Sequence, residues 1–184
     1  MRKLLFAINL TADGCCDHTK GISDAELHNY HARLLHNADT LLYGRKTYQL
    51  MVPFWPDMAK NNSGPTKSLN DFAHAFDAIK NIVVFSRSLE KPEGKNTRIV
   101  RAGLSDEVKS LKQQDGKNIL TGGVDIPTQL IQLGLVDEYY FVIHPTLAGQ
   151  GRRLLTEVSV QENLQLVDAT TFDAGMVALR YVKR

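Results

Sequence analysis

Apolar residues follow two alternating rhythms along the chain. Short unbroken runs predict buried strands over Lys3 to Leu10, Thr40 to Tyr43, Ile82 to Phe85, Thr97 to Arg101 and Asn118 to Thr121. Between them, apolar positions return every three to four residues and predict helices with one apolar face. Leu27, Tyr30, Leu34 and Leu35 form one such face, Leu69, Phe72, Phe76 and Ile79 a second, and Ile126, Leu130 and Leu133 a third. Ser23 to Glu26 has the Ser-x-x-Glu form of a capping box, and Ser68 opens the second helix. A short helix over Thr47 to Met51 is stopped by Pro53, and the polar stretch Pro53 to Thr66 reads as a surface loop. Ser105 to Gln114 predicts a helix with acids first and lysines last. Strands over Glu138 to His144, Gln165 to Thr171 and Met176 to Val182 follow. The pattern is α/β: parallel βαβ units, then antiparallel C-terminal strands, in one domain spanning residues 1–184.

Composition narrows the possibilities. With 184 residues, 43% of them hydrophobic, the chain has material for a substantial core. A net charge of +2 from dispersed Lys and Arg gives no extended nucleic-acid footprint. No apolar run approaches membrane-spanning length, and the first apolar run ends too soon for a signal peptide, so a cytoplasmic location is expected. Cys15 and Cys16 are adjacent, a poor geometry for a structural disulfide, and read as reduced thiols. His28, His31 and His36 share a helix, but their spacing favours a solvated or packed face over a metal site, and no metal is expected.

Chemistry concentrates where strands end. Tyr43 leads into Gly44-Arg45-Lys46-Thr47, Phe85 into Ser86-Arg87-Ser88, and Leu120 into Thr121-Gly122-Gly123 followed by a helix. Ligands of open α/β sheets bind outside the carboxyl ends of strands. Paired glycines let backbone approach a ligand, while Arg, Lys and hydroxyls suit phosphate. Such a set fits a dinucleotide with an extra phosphate. The phosphate loop of nucleotide triphosphatases and the Gly-x-Gly-x-x-Gly of ordinary Rossmann dehydrogenases are both missing.

These motifs, in this order, resemble the dihydrofolate reductase superfamily. The closer likeness is to its bacterial branch, which includes the reductase domain of riboflavin biosynthesis. The resemblance is carried by Leu41-Leu-Tyr-Gly-Arg-Lys-Thr-Tyr48, Val84-Phe-Ser-Arg-Ser88, Ile119-Leu-Thr-Gly-Gly-Val124, Gly134-Leu-Val-Asp-Glu-Tyr139 and His144-Pro-Thr-Leu-Ala-Gly-Gln-Gly151. It implies a three-layer fold with a central mixed, mostly parallel sheet, a homodimer, and hydride transfer from NADPH to a pterin- or pyrimidine-like heterocycle. The activity implied is like that of 5-amino-6-(5-phosphoribosylamino)uracil reductase or dihydrofolate reductase. By the same resemblance, Gly44, Arg45, Lys46 and Thr47 meet the adenosine phosphate side, and Ser86, Arg87 and Ser88 flank the adenine ribose. Thr121, Gly122, Gly123, Val124 and Asp125 contact the pyrophosphate and nicotinamide half, with Ala7 near the nicotinamide.

Other assignments have two readings. Asp13 orients substrate or makes an Asp-Gly turn, and Glu26 donates a proton or completes the capping box. Phe54 and Trp55, with Tyr30, line a substrate cleft, or the first two pin a loop to the core. The acid that dihydrofolate reductases place in the first helix falls near His28 here. A dimeric NADPH or nucleotide sensor or scaffold without turnover is the alternative.

Overall fold

The computed structural model describes every residue except 95, 157, 158 and 160. In chain order the elements are β1 (Leu4–Thr11), α1 (Ala25–His36), β2 (Ala38–Gly44), α2 (Arg45–Met51), α3 (Phe54–Asn61), α4 (Lys67–Asp77), β3 (Asn81–Phe85) and β4 (Thr97–Val100). They continue with α5 (Leu104–Gln113), β5 (Asn118–Thr121), α6 (Asp125–Gln132), β6 (Glu138–His144), β7 (Leu164–Thr171) and β8 (Val177–Lys183). The fold is mixed α/β of the dihydrofolate reductase kind, mostly parallel with antiparallel C-terminal strands. Its packing falls into two compact units. The first holds residues 1–2 and 23–120, and the second residues 3–22 and 121–184.

In the first unit the strands lie in the order β4-β3-β2-β5. β2 pairs in parallel with β3, and β3 with β4. Leu41, Leu42, Val83 and Val84 are completely buried, which is why these strands read as continuous apolar runs rather than alternating ones. Arg2 is buried too: its guanidinium pairs with Asp39, donates to Thr40 Oγ1 at 2.8 Å and to the Lys117 carbonyl at 2.5 Å.

Four local expectations are corrected. α1 is capped by Asp24 rather than Ser23: its carboxylate accepts from Leu27 N at 2.8 Å, and Glu26 lies in the first turn. Ser23 instead bonds His28 Nε2 at 3.0 Å. The stretch expected as a loop contains α3, because Trp55, Met58 and Ala59 recur at helical spacing and pack against Leu69 and Ala73 of α4. Pro56 falls in its first turn, where a missing N–H costs nothing, and Asn62 at φ 47° ends it. α4 starts at Lys67, one residue earlier than expected, capped by Thr66 rather than Ser68, with Leu69 N donating to the Thr66 hydroxyl at 3.3 Å. On α6 the buried residues are Pro127, Leu130 and Ile131, whereas Leu133 is 49% exposed.

In the second unit the order is β1-β6-β8-β7. β1 and β6 are parallel, and β8 runs antiparallel to both β6 and β7. Phe6 on β1 meets Tyr139 and Phe141 of β6 edge-on, with ring centroids 6.4 and 6.0 Å apart. Glu138 is buried yet charged: Lys3 Nζ donates at 2.7 Å, Tyr140 OH at 2.7 Å and Arg180 Nε at 2.9 Å. Burial pushes its carboxyl upward, but those three donors outweigh burial and hold it below the usual carboxylate range. The stabilisation is therefore present above the ordinary carboxylate value and is lost as pH falls through the depressed folded value. Urea unfolding followed between about pH 6 and about pH 3 should show this acid loss, and Glu138→Gln should flatten it. An unchanged acid slope in the variant would place the effect elsewhere.

Candidate functional site

Gly44 and Phe85 are register partners at the carboxyl ends of β2 and β3. The next residues, Arg45 and Ser86, therefore leave the sheet at one edge. Gly44 also serves as the cap residue of α2 and contributes no side-chain bond there. Arg45 and Lys46 are exposed, with Arg45 Nη1 donating to Gln49 Oε1 at 3.1 Å one turn on. Thr47 is half-buried behind them.

The segment after β3 is held rather than loose. Ser86 Oγ accepts from Ser88 N at 3.3 Å and from Leu89 N at 2.9 Å, closing a small turn with its own hydroxyl. Arg101, just past β4, donates to the Arg87 carbonyl at 2.9 Å and to the Leu89 carbonyl at 3.1 Å. Tyr48 is 1% exposed, and its hydroxyl both donates to the Glu93 carbonyl and accepts from Glu93 N, each at 2.6 Å. Among the described residues no carboxylate pairs with Arg45, Lys46, Arg87 or Arg101. Four positive side chains thus share one strand-end edge without a counter-charge, an arrangement that favours an anion.

The residues expected around substrate are more dispersed in character. Tyr30 is buried on α1 under the Arg33 guanidinium, 5.7 Å from the ring centroid. Trp55 packs edge-on against Phe72 at 4.5 Å and Phe54 at 4.9 Å, and its Nε1 donates to Met51 Sδ at 3.4 Å. Trp55 thereby pins α3 to α4, while Phe54 remains 53% exposed. Burial holds the His28 imidazole below its usual range, against the opposing pull of Asp24. Glu26 is exposed in the first turn of α1.

In the second unit, Ala7 is half-buried on β1 opposite Tyr140. Asp13 sits at the centre of a knot. Its carboxylate accepts from Thr11 Oγ1 at 2.5 Å, Ala148 N at 3.0 Å, Gly149 N at 2.9 Å and Arg153 Nη2 at 3.3 Å. The Thr11 hydroxyl, with the Ala148 amide next, holds its carboxyl far below the usual carboxylate range. A carboxylate so engaged is an organiser of the 11–16 and 145–153 segments and a poor proton donor. Cys15 and Cys16 are free thiols, and burial pushes the Cys16 thiol up to about 11. Thr121 is buried at the end of β5, Gly122 follows, Gly123 takes φ 84°, and Val124 precedes Asp125, the first residue of α6. Asp125 is paired with Arg152. Among the described residues no group of three or more His, Cys, Asp or Glu is arranged to hold a metal, and no helix is long and apolar enough to cross a membrane.

Arg101, Tyr48, Arg152 and Arg153 are the contacts the sequence reading missed. Arg101 carried the same signal as the others, a cation immediately after a strand. The two late arginines follow the Pro145 to Gly151 turn and carry no local signal.

Comparison with known proteins identifies the family and agrees with the fold. The family model of the RibD C-terminal domain matches residues 2–178. The Bacillus subtilis (strain 168) protein YyaP is 33% identical over 187 residues, covering 98% of this chain and 94% of YyaP. A pyrimidine reductase-like protein from Corynebacterium diphtheriae superposes with a TM-score of 0.70 at 14% identity, covering 100% of this chain and 92% of that one. Dihydrofolate reductase from Enterococcus faecalis, solved with NADP(H), superposes with a TM-score of 0.64 at 12% identity, covering 99% and 96%.

The hold on the 86–89 turn is open to direct test. Arg101→Gln removes two carbonyl contacts, so amide exchange at Ser88 and Leu89 should accelerate by roughly fivefold or more, with β3 amides unaffected. Equal protection in variant and parent would show that Arg101 does not order this turn.

Proposed function

The chain belongs to the RibD C-terminal domain family, and from that premise we propose that it is an NADPH-dependent reductase of a small pterin- or pyrimidine-like heterocycle. The observation that carries the reading is the cationic edge beyond β2 and β3. Arg45, Lys46 and Arg87 stand there without a carboxylate partner among the described residues, beside the exposed Ser88. That donor set fits the dianionic phosphate on an adenosine ribose. Ser86 is assigned to shaping the turn, since its hydroxyl already accepts two amides. Gly44 and Thr47 complete the phosphate side. Thr121, Gly122, Gly123, Val124 and Asp125 are assigned to the pyrophosphate and nicotinamide half, and Ala7 to the nicotinamide.

When bound, NADPH supplies the hydride. The contribution of the chain is positioning and water exclusion. Tyr30, Phe54 and Trp55 are assigned to the substrate side. Asp13 keeps the 11–16 and 145–153 segments in register, leaving Glu26 or a water as proton source. The same engagement of Asp13 favours a second reading, a protein that binds NADPH as a sensor or scaffold without turnover. Cofactor oxidation tested with dihydrofolate and with the ribosylaminopyrimidine of riboflavin synthesis separates the two. A cytoplasmic homodimer completes the proposal on family resemblance, and a monomer in sedimentation would remove the dimer from it.

The phosphate assignment makes a sharper demand. Arg45→Ala with Lys46→Ala should weaken NADPH about tenfold or more, and NADH about twofold or less, by fluorescence titration. Equal losses for both coenzymes would overturn the ribose-phosphate assignment, and no NADPH binding by the parent protein would overturn the reductase reading.

A further inference from the structure

Asp125 poses an electrostatic problem for the segment assigned to a pyrophosphate. It follows Gly122-Gly123 by only two residues, and its carboxylate is exposed. A fixed negative charge at that place repels two phosphate charges. Arg152 answers it from 27 positions further along the chain, with its guanidinium paired to Asp125 Oδ1.

The backbone that carries Arg152 is anchored at several points. Cys16 N donates to the Arg152 carbonyl at 2.7 Å. Cys15 and Arg153 form an antiparallel bridge beside it. Gly151 has φ +121° and lies so close to Cys15 that a Cβ there would stand 2.7 Å from the sulfur. Asp13 holds the amides of Ala148 and Gly149. Among the described residues this mounting carries the Arg153–Asp13 pair, which joins the two segments, and presents the half-exposed Arg152–Asp125 pair, and half-exposed pairs contribute little to folding. Folding stability is therefore a weak reason for it, whereas a fixed guanidinium next to a phosphate-binding turn is useful. A guanidinium has five N–H donors in a planar fork and serves a carboxylate and a phosphate together.

We propose that Arg152 is a coenzyme-binding residue: it neutralises Asp125 and donates to the pyrophosphate when the dinucleotide binds. The proposal rests on the coenzyme reading above and adds to it a residue from the C-terminal part of the chain. It also predicts a signature unlike that of the β2–β3 edge, because the pyrophosphate is common to NADPH and NADH.

Titrations of NADPH, NADH and inorganic pyrophosphate against the parent, Arg152→Ala, Asp125→Asn and the double variant test it, with urea midpoints as a check on folding. Arg152→Ala should weaken both dinucleotides about tenfold and leave their ratio unchanged. Asp125→Asn should shift binding of both dinucleotides toward tighter, because it removes the charge opposing the phosphates, and the double variant should bind both more tightly than Arg152→Ala alone. Parent-like binding by Arg152→Ala, a loss confined to NADPH, or a loss that Asp125→Asn fails to relieve would each overturn the proposal while the coenzyme reading stands. Arg152-dependent binding of pyrophosphate by a parent that binds neither dinucleotide would uphold the anion contact and overturn the coenzyme reading instead.

Discussion

Parallel pairing is the constraint from which the rest follows. Two strands joined in parallel through a crossover helix must both leave the sheet at the same edge. With Gly44 opposite Phe85, the residues that follow each strand are delivered to one place whatever the intervening 40 positions contain. Arg45, Lys46 and Arg87 gather there because of that geometry, not because of any contact among themselves. β4 also pairs with β3 in parallel, Phe85 opposite Val100, and so Arg101 arrives at the same edge. An antiparallel partner would have sent its end to the opposite side and dispersed the charges.

Delivering charges to one edge leaves them repelling one another, so the surrounding backbone has to be held. The first unit does this with hydrogen bonds to main chain rather than with ion pairs. Arg101 and Tyr48 grip carbonyls and an amide of residues 87–93, and Ser86 closes its own turn. Since none of these uses a carboxylate, the positive charge remains uncancelled. The second unit behaves differently. There several charges have partners: Asp13 with amides and Arg153, Asp125 with Arg152, Glu138 with Lys3 and Arg180. The contrast separates charges paired within the fold from the cations of the β2–β3 edge, which have no carboxylate partner among the described residues.

Family membership is shown independently of these charges. Structures at 12 and 14% identity establish the fold. What a fold hosts is decided by its site. Here the acid that a dihydrofolate reductase would place in the first helix gives way to His28, half-buried and bonded to Ser23. The carboxylate of Asp13 is engaged by loop architecture.

Much of the fold was legible because its signals are local. Continuous Val, Ile and Leu runs mark buried parallel strands, and the Gly and charged residues after them mark strand ends, so the three strand-end motifs could be named without coordinates. Misreadings occurred where two local signals competed. Ser23 and Asp24 are both good caps, and Asp24 took the helix. Pro53 and Pro56 looked like loop punctuation, yet the Trp55-Met58-Ala59 stripe found a partner in α4 and made a helix. Arg152 and the knot around Asp13 were invisible for another reason: they join residues 27 and more than 130 positions apart, and no periodicity encodes such a meeting. The sequence by itself determined most of the elements, their order and the clustering of glycines, hydroxyls and cations just past the strand ends. Tertiary structure alone decided which charges are neutralised and which are left free, because a counter-charge is set by distance in space, and distance along the chain does not reveal it.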